Sequence, residues 1–333
     1  MKLKSIFSGL ALVIALSLQM FAQTNGYRIS APISYKNLSV FLIHGKDEIK
    51  NKNILTLQEA MEKDLFVVYE TSDVNELQVE NKSSQYEVFI QSGDIVKGGK
   101  QDRVLSITII IPARSGRISI EAFCVESGRW EQRGKEKAGQ FSSSNDRIVS
   151  KDLKIAANQT RSQGEVWKKV AESQEKLSQN VGGRVNDAAS ATSLQLTLEN
   201  KKVAATADEF VNKLSGIVEG KDDVIGYAFV INGKVNSADV YASNFLFKKL
   251  WLKLLKATAI EAVAEMQTGK PTKLIKIDEI KQFMDDADGG KSQEKTVNAR
   301  NKTVTREAKE NVVFESRDEK NNVVLHKSYV KKP

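Results

Sequence analysis

Two short stretches, GGKQDR (98–103) and CVESGRW (124–130), hold the densest chemistry in this chain: Lys100, Gln101, Asp102, Arg103, Cys124, Glu126, Arg129 and Trp130. Asp102 and Glu126 are the candidate acid and base, since a positioned carboxylate can take a proton from a substrate and return it. Arg103 and Arg129 can clamp a carboxylate or phosphate through parallel N–H donors. Lys100 and Gln101 add further donors, and Trp130 offers a stacking face for a sugar or base. The competing reading is structural, with two buried arginine–carboxylate pairs where strands leave the core, an arrangement common without catalysis. Cys124 is a candidate ligand contact, and beside Arg129 its thiolate could act as a nucleophile. It nevertheless alternates with Phe123 and Val125 in an apolar run, the setting of a cysteine that packs as a small hydrophobe. Only His44 and His326 could serve it as a base.

Other motifs fall short of known spacings. Gly93 and Gly98 resemble a phosphate loop, but Gly99, Lys100 and Gln101 follow where such a loop needs Gly-Lys and a hydroxyl. A looser anion site of backbone amides with Lys100 and Arg103 stands beside the simpler reading of a Gly-Gly turn. Asp285, Asp286 and Asp288 lack the alternation and the downstream glutamate of a calcium loop and read as a solvated turn. No metal set is assigned, and no cofactor is identified.

The elements that must hold these residues are short strands by period and composition, at 38–43, 65–69, 77–79 and 86–90. A short helix at 56–64 opens on Thr56 and Glu59, spaced as a capping box. The apolar runs 105–111 and 118–125 flank a turn at 112–116 and are expected to form a central hairpin. Residues 131–147 are rich in charge, Gly and Ser and read as a long loop, of a length common in lids, binding loops and connectors. Helices are expected at 165–177 and 203–218. A hairpin turns at Asn232-Gly233, the favoured two-residue type. The strongest helix, 245–266, carries Leu246, Leu250, Trp251, Leu254 and Leu255 on one face and several lysines off it. Packing on a sheet is favoured for it over lying on a membrane surface. The basic tail, 286–333, ends in an expected strand pair at 312–315 and 323–330. The fold class is therefore α+β, a mixed, largely antiparallel sheet with several packed helices, in a single domain over 23–285.

Residues 1–22 read as a signal peptide: Lys2 and Lys4, an apolar run over 6–18, then Ala22. That run is shorter than the about 20 residues a membrane helix needs, so no transmembrane segment is expected after cleavage. The mature chain is expected to be exported, to a periplasm or beyond, where a single cysteine excludes an internal disulfide. The net charge of +8 misleads, because the leader contributes +2 and residues 291–333 carry eleven basic against six acidic side chains. Residues 23–290 are left at +1, far from the clustered positive footprint of a nucleic-acid binder, and no nucleic-acid partner is expected.

The order GDIVKGGKQDR, an IPA turn, CVESGRW, a helix with VW, a glycine-bearing hairpin and KLWLKLLKA resembles the ARG and rhodanese-phosphatase-superfamily-associated protein domain, over about residues 35–266. The resemblance implies association with other enzymes. Through ARG, read as ADP-ribosylglycohydrolase, it points to ADP-ribose or nucleotide chemistry inside cells, a setting from which the export signal departs. Two functions follow from the residues. The first is a ligand-binding or envelope interaction module whose arginines anchor an anionic small molecule or another envelope protein. The second is a hydrolase acting on a phosphorylated, ADP-ribose-type or glycosidic substrate, with Asp102 or Glu126 as acid/base and Arg103 and Arg129 steadying negative charge.

Overall fold

Val224–Ile231 is buried along its whole length, and with Lys234–Tyr241 it forms the centre of the fold. Their turn is the expected one, since Asn232 and Gly233 both adopt left-handed backbone angles, φ 52° and 70°. A computed structural model of the chain describes residues 26–50, 52–137, 139–148, 150–267 and 273–333; the expected leader at 1–22 lies outside them.

The central hairpin belongs to a nine-stranded antiparallel sheet. On one side Val224–Ile231 pairs with Leu38–His44, which also carries Arg28–Ile29 and Ile33–Tyr35. On the other, Lys234–Tyr241 pairs with Val323–Lys331, followed by Asn311–Asp318, Asn301–Glu307 and Lys291–Thr296. The expected strand pair of the tail is thus four strands of the main sheet. Both faces of its central strands are covered, whereas the edge strand Lys291–Thr296 is exposed along its length. Tyr227 and Phe229 face a core built on the helix Asn244–Ala264, while Ala228 and Val230 face Ile280, Phe283 and Met284 of the helix Ile277–Asp288. Asp285–Asp288, read from sequence as a solvated turn, is the last turn of that helix. The apolar spacing Ile280, Phe283, Met284, Ala287 marks its buried stripe.

Six further strands run in the order Phe141–Arg147, Asp94–Gly98, Arg103–Leu105, Arg117–Cys124, Glu76–Asn81, Phe66–Glu70. A bridge between Tyr69 and Gln140, with Glu70 N donating to Gly139 O at 3.2 Å, joins the outer two, so this sheet closes around its own core. Phe66, Val68, Leu77, Val96, Leu105 and Phe141 belong to that core, whereas Ile95, Val104 and Phe123 pack with the helical layer outside. The expected hairpin of 105–111 with 118–125 does not form. Arg117–Cys124 pairs with Glu76–Asn81 and Arg103–Leu105, and Ile109–Ile111 pairs with Glu87–Ile90, which also takes Ile54–Thr56 in parallel. A strand buried on both faces has no alternation to specify its partner, so adjacency in sequence was the only guide. The expected loop over 131–147 ends in a strand, in which Phe141 is the sole apolar residue of FSSSNDR and Phe141, Ser142, Ser143 and Arg147 pair with Asp94–Gly98 around a register shift.

The helix Leu57–Glu62 carries the expected capping box, Glu59 N to Thr56 Oγ1 at 3.2 Å and Thr56 N to Glu59 Oε2 at 2.9 Å. Asn244–Ala264 packs on the sheet as expected, and three of its four lysines turn toward the body of the fold: Lys249 reaches Glu59 at 2.9 Å, Lys253 reaches Asp94 at 3.0 Å and Lys256 reaches Asp146 at 2.7 Å, while Lys248 pairs with Asp222 at the surface. Among the described residues no helix is long and apolar enough to cross a membrane. The sheets and helices together make an α+β fold with largely antiparallel pairing.

Candidate functional site

The two sequence motifs do meet. Arg103 stands opposite Cys124 in the closed sheet, and the turn at Gly98 and Gly99, φ 114° and 55°, brings Asp102 beside Glu126. A side chain at Gly99 would put Cβ 2.5 Å from Phe141 and 2.9 Å from Glu70 Oε2, so only glycine fits.

Every carboxylate oxygen of Asp102 and Glu126 is already occupied. Asp102 Oδ1 accepts from Gly98 N at 3.0 Å and Arg133 Nη2 at 2.9 Å; its Oδ2 accepts from Arg133 Nη1 and Ser193 Oγ, both at 2.9 Å. Glu126 Oε1 accepts from Arg129 Nε at 2.8 Å and Arg133 Nη1 at 3.4 Å, and Oε2 from Arg129 Nη2 at 2.7 Å and Asp102 N at 3.1 Å. Burial pushes the Glu126 carboxyl up, but donors from Arg129, Ser190 and the Asp102 amide outweigh it and hold the group below its ordinary value. Asp102 and Glu126 are both fully buried.

Arg103 and Cys124 close the adjacent end of the sheet. The Arg103 guanidinium donates to Val74 O at 2.8 Å and Glu70 Oε1 at 3.2 Å, and lies 2.6 Å from Cys124 Sγ. Burial pushes the Cys124 thiol up to about 11 against the opposing pull of Arg103, which leaves it protonated and unreactive at neutral pH. Gln101 is buried. Lys100 Nζ bonds Ser72 Oγ at 3.0 Å and sits 5.1 Å above the Trp130 ring, which is half exposed. The motif backbone is tied down on every side: Gln163 brackets Cys124 N and O at 2.8 Å each, Trp167 Nε1 donates to Glu126 O at 3.2 Å, and Leu194 N to Val125 O at 3.0 Å. The expected site is brought together as a buried ionic network in which both candidate acids are fully bonded, while Gln101 Oε1, Arg103 Nε and Glu136 Oε2 have no hydrogen-bond partner among the described residues. Sequence reading missed Arg133, because it lies in a charge-rich loop, and Ser193, because as the N-cap of a five-residue helix it resembles any other serine.

A cleft of about 280 Å³ opens elsewhere, between one face of the nine-stranded sheet, the closed sheet and the segment 150–161. That segment is unusual. Lys151–Ile155 runs directly into a π turn, Ala156–Thr160, and is bounded by two left-handed non-glycine residues, Ser150 at φ 79° and Arg161 at φ 51°. π turns and such outliers concentrate at functional sites. This one supplies Lys154, Asn158 and Arg161 to the cleft. A register shift between Ser143 and Arg147 delivers Arg147. The sheet contributes His326, Ser316 and Ser328, and residues 106–108 contribute Ser106 and Thr108.

The charges lining this cleft are unevenly matched. Glu121 pairs with Arg161 and Lys295, Glu294 with Lys302, Glu307 with Lys332, and Glu315 with Arg306 and Arg317. At the floor, Asp239 lies 2.9 Å from His326 Nε2 and 3.7 Å from Lys154 Nζ, and Asp94 is paired with Lys253. Burial works against ionisation of Asp239, but Lys154, His326 and Arg147 hold it well below the carboxylate range. Burial lowers the His326 pKa even against the pull of Asp239, so the ring is neutral at pH 7 with Nε2–H donating to Asp239. Arg147 is buried at 3% exposure. Its Nη2 donates to Ser92 O at 2.6 Å, and the Gln91 carboxamide, oriented with its oxygen inward, accepts from both Nη atoms at 3.2 Å. Its Nε has no partner among the described residues, and no carboxylate among them bonds to it. Isolated charged residues inside apolar strands, Asp239 in ADVY and His326 in VLHK, were the sequence signal for this floor.

No curated protein and no solved structure matches the chain. A family model does, over residues 26–330, so the match takes in the C-terminal strands that the motif resemblance had stopped short of. From the first strand of the great sheet to the last, the chain belongs to the ARG and Rhodanese-Phosphatase-superfamily-associated Protein domain family.

Proposed function

We propose that this protein is an exported binding module that takes a small anionic molecule into the cleft floored by Arg147 and Lys154. The observation that carries the reading is Arg147, a buried guanidinium with an unpartnered Nε in a cleft whose lining carboxylates each have a cation of their own. Asp239 and Asp94 offset the Arg147 charge from a distance, but no carboxylate among the described residues bonds to the guanidinium directly, and an incoming carboxylate or phosphate can supply that bonded partner. Binding is favoured over hydrolysis at Asp102 and Glu126 because acid–base work needs a carboxylate oxygen free to reach a substrate, and all four already accept two hydrogen bonds each. Export rests on the leader pattern at residues 1–22.

Isothermal titration calorimetry of the purified protein with inorganic phosphate and with short carboxylates tests the proposal. Wild type is expected to bind at least one of them, and Arg147→Gln to weaken it roughly 10- to 100-fold, the range of a lost charged hydrogen bond. Absence of binding heat for every anion, or an Arg147→Gln variant that binds as well as wild type, would refute it.

A further inference from the structure

Building on that reading of the cleft, we infer that its ligand is an anion bearing several hydroxyl groups and about the size of one monosaccharide, its charged group at Arg147 and Lys154 and its hydroxyls at Ser106 and Thr108. The volume of about 280 Å³ lies at the lower edge of ligand sites, which span about 300–1,000 Å³, so one compact molecule fills it. The wall above the cations is dense in hydroxyl and amide groups, and their bonding capacity is only partly used. Ser92 Oγ donates to Asn158 Oδ1 at 2.7 Å, and Ser316 Oγ is committed to Thr108 O at 2.5 Å. Thr108 Oγ1 accepts from Ser92 N at 3.0 Å and keeps its own proton to donate. Ser106 Oγ is buried with no partner among the described residues.

Two hydroxyls with capacity to spare, two residues apart and on the same wall as a cation floor, match a ligand whose own hydroxyls both donate and accept. A bare inorganic ion would satisfy Arg147 and leave Ser106 unpaired. A nucleotide would bring an aromatic base to a lining whose carbocyclic aromatic residue is Phe314 alone among the described residues. A site shaped to bond a hydroxyl discriminates against analogues lacking it, because its buried polar atoms are then left unmatched.

Calorimetry with glucose 6-phosphate, glucuronate, inorganic phosphate, butyrate and glucose separates the possibilities. The phosphate-headed and carboxylate-headed sugars also distinguish the two sources of charge. At least one sugar anion is expected to bind ten-fold or more tightly than its hydroxyl-free counterpart and than neutral glucose. Ser106→Ala is expected to weaken that sugar anion roughly 3- to 10-fold, the range of a neutral hydrogen bond, while leaving inorganic phosphate unchanged. Thr108→Val provides a second variant should Ser106→Ala fail to fold, and the wild-type ligand series needs no variant. Equal affinity for bare and hydroxylated anions overturns this inference and leaves the anion site standing. Glucose binding as tightly as the sugar anions, or no ligand binding at all, overturns both.

Discussion

Asp102 and Glu126 have the residue types of an acid–base pair and the bonding of a structural clamp. Arg133 holds Asp102 through two bonds of 2.9 Å, a bidentate geometry that gives both strength and direction. Removing one partner from such a buried pair leaves an unmatched charge, so Asp102→Ala is expected to cost roughly 3–5 kcal/mol. Urea unfolding measures it, and a midpoint equal to wild type would contradict the clamp. The grouping of the two motifs was legible in the sequence, since both flank strand-like runs dense in charge. Whether their oxygens were free was not, because Arg133 and Ser193 arrive from loops whose placement no local pattern encodes. The opposite failure occurred at Arg147. A lone arginine in a polar stretch reads as solvated, and only burial turned it into the side chain with chemistry left to do.

Caps and tight turns behaved as local physics requires. Thr56 and Glu59 cap their helix, and Asn232-Gly233 turns its hairpin, because each signal acts within four residues. Strand pairing did not follow the sequence, because the 105–111 run is buried on both faces and splits between two sheets. The turn at Gly99 carries a prediction at this scale. Gly99→Ala meets both left-handed strain and a Cβ 2.5 Å from the Phe141 ring, whereas Gly128, at φ 82°, faces open space. Gly128→Ala is expected to cost about 1–2 kcal/mol from backbone strain alone. Gly99→Ala should cost roughly 1–3 kcal/mol more from overpacking. Thermal or urea denaturation of the two variants side by side decides this, and equal losses would show that Phe141 yields to the added methyl.

At the scale of the whole molecule, the buried titratable groups set how stability varies with pH. His326 is neutral in the fold and its pKa lies below 6.5, because burial disfavours its charge; an unfolded chain therefore takes up a proton more readily as pH falls below 6.5, and stability declines from there. Burial raises Glu126 and Glu315, but arginine donors outweigh it and hold both below 4.5, so their contribution is complete above 4.5 and lost as pH falls through their folded values. Glu261 opposes this trend, since burial raises it above 4.5 and its contribution is lost as pH rises. The melting temperature is expected to fall on acidification in two stages, gently below 6.5 and more steeply below 4.5. His326→Gln should flatten the first stage and spare the second. A wild-type profile level between pH 7 and 5 would show that His326 does not titrate with folding.

The sequence by itself determined what acts over a few residues: the α+β class, the helix caps, the Asn-Gly hairpin, the apolar stripe of the long helix, the leader pattern and the family motifs. Tertiary structure decided which strands pair, that four C-terminal strands complete the main sheet, and that the conspicuous carboxylates are spent while the inconspicuous Arg147, Lys154 and His326 meet in a cleft. The physical reason is that a charge carries no mark in sequence of whether it will be solvated, paired or buried alone. That is settled only when segments more than 170 residues apart, such as 147–154 and 326, are brought against one another.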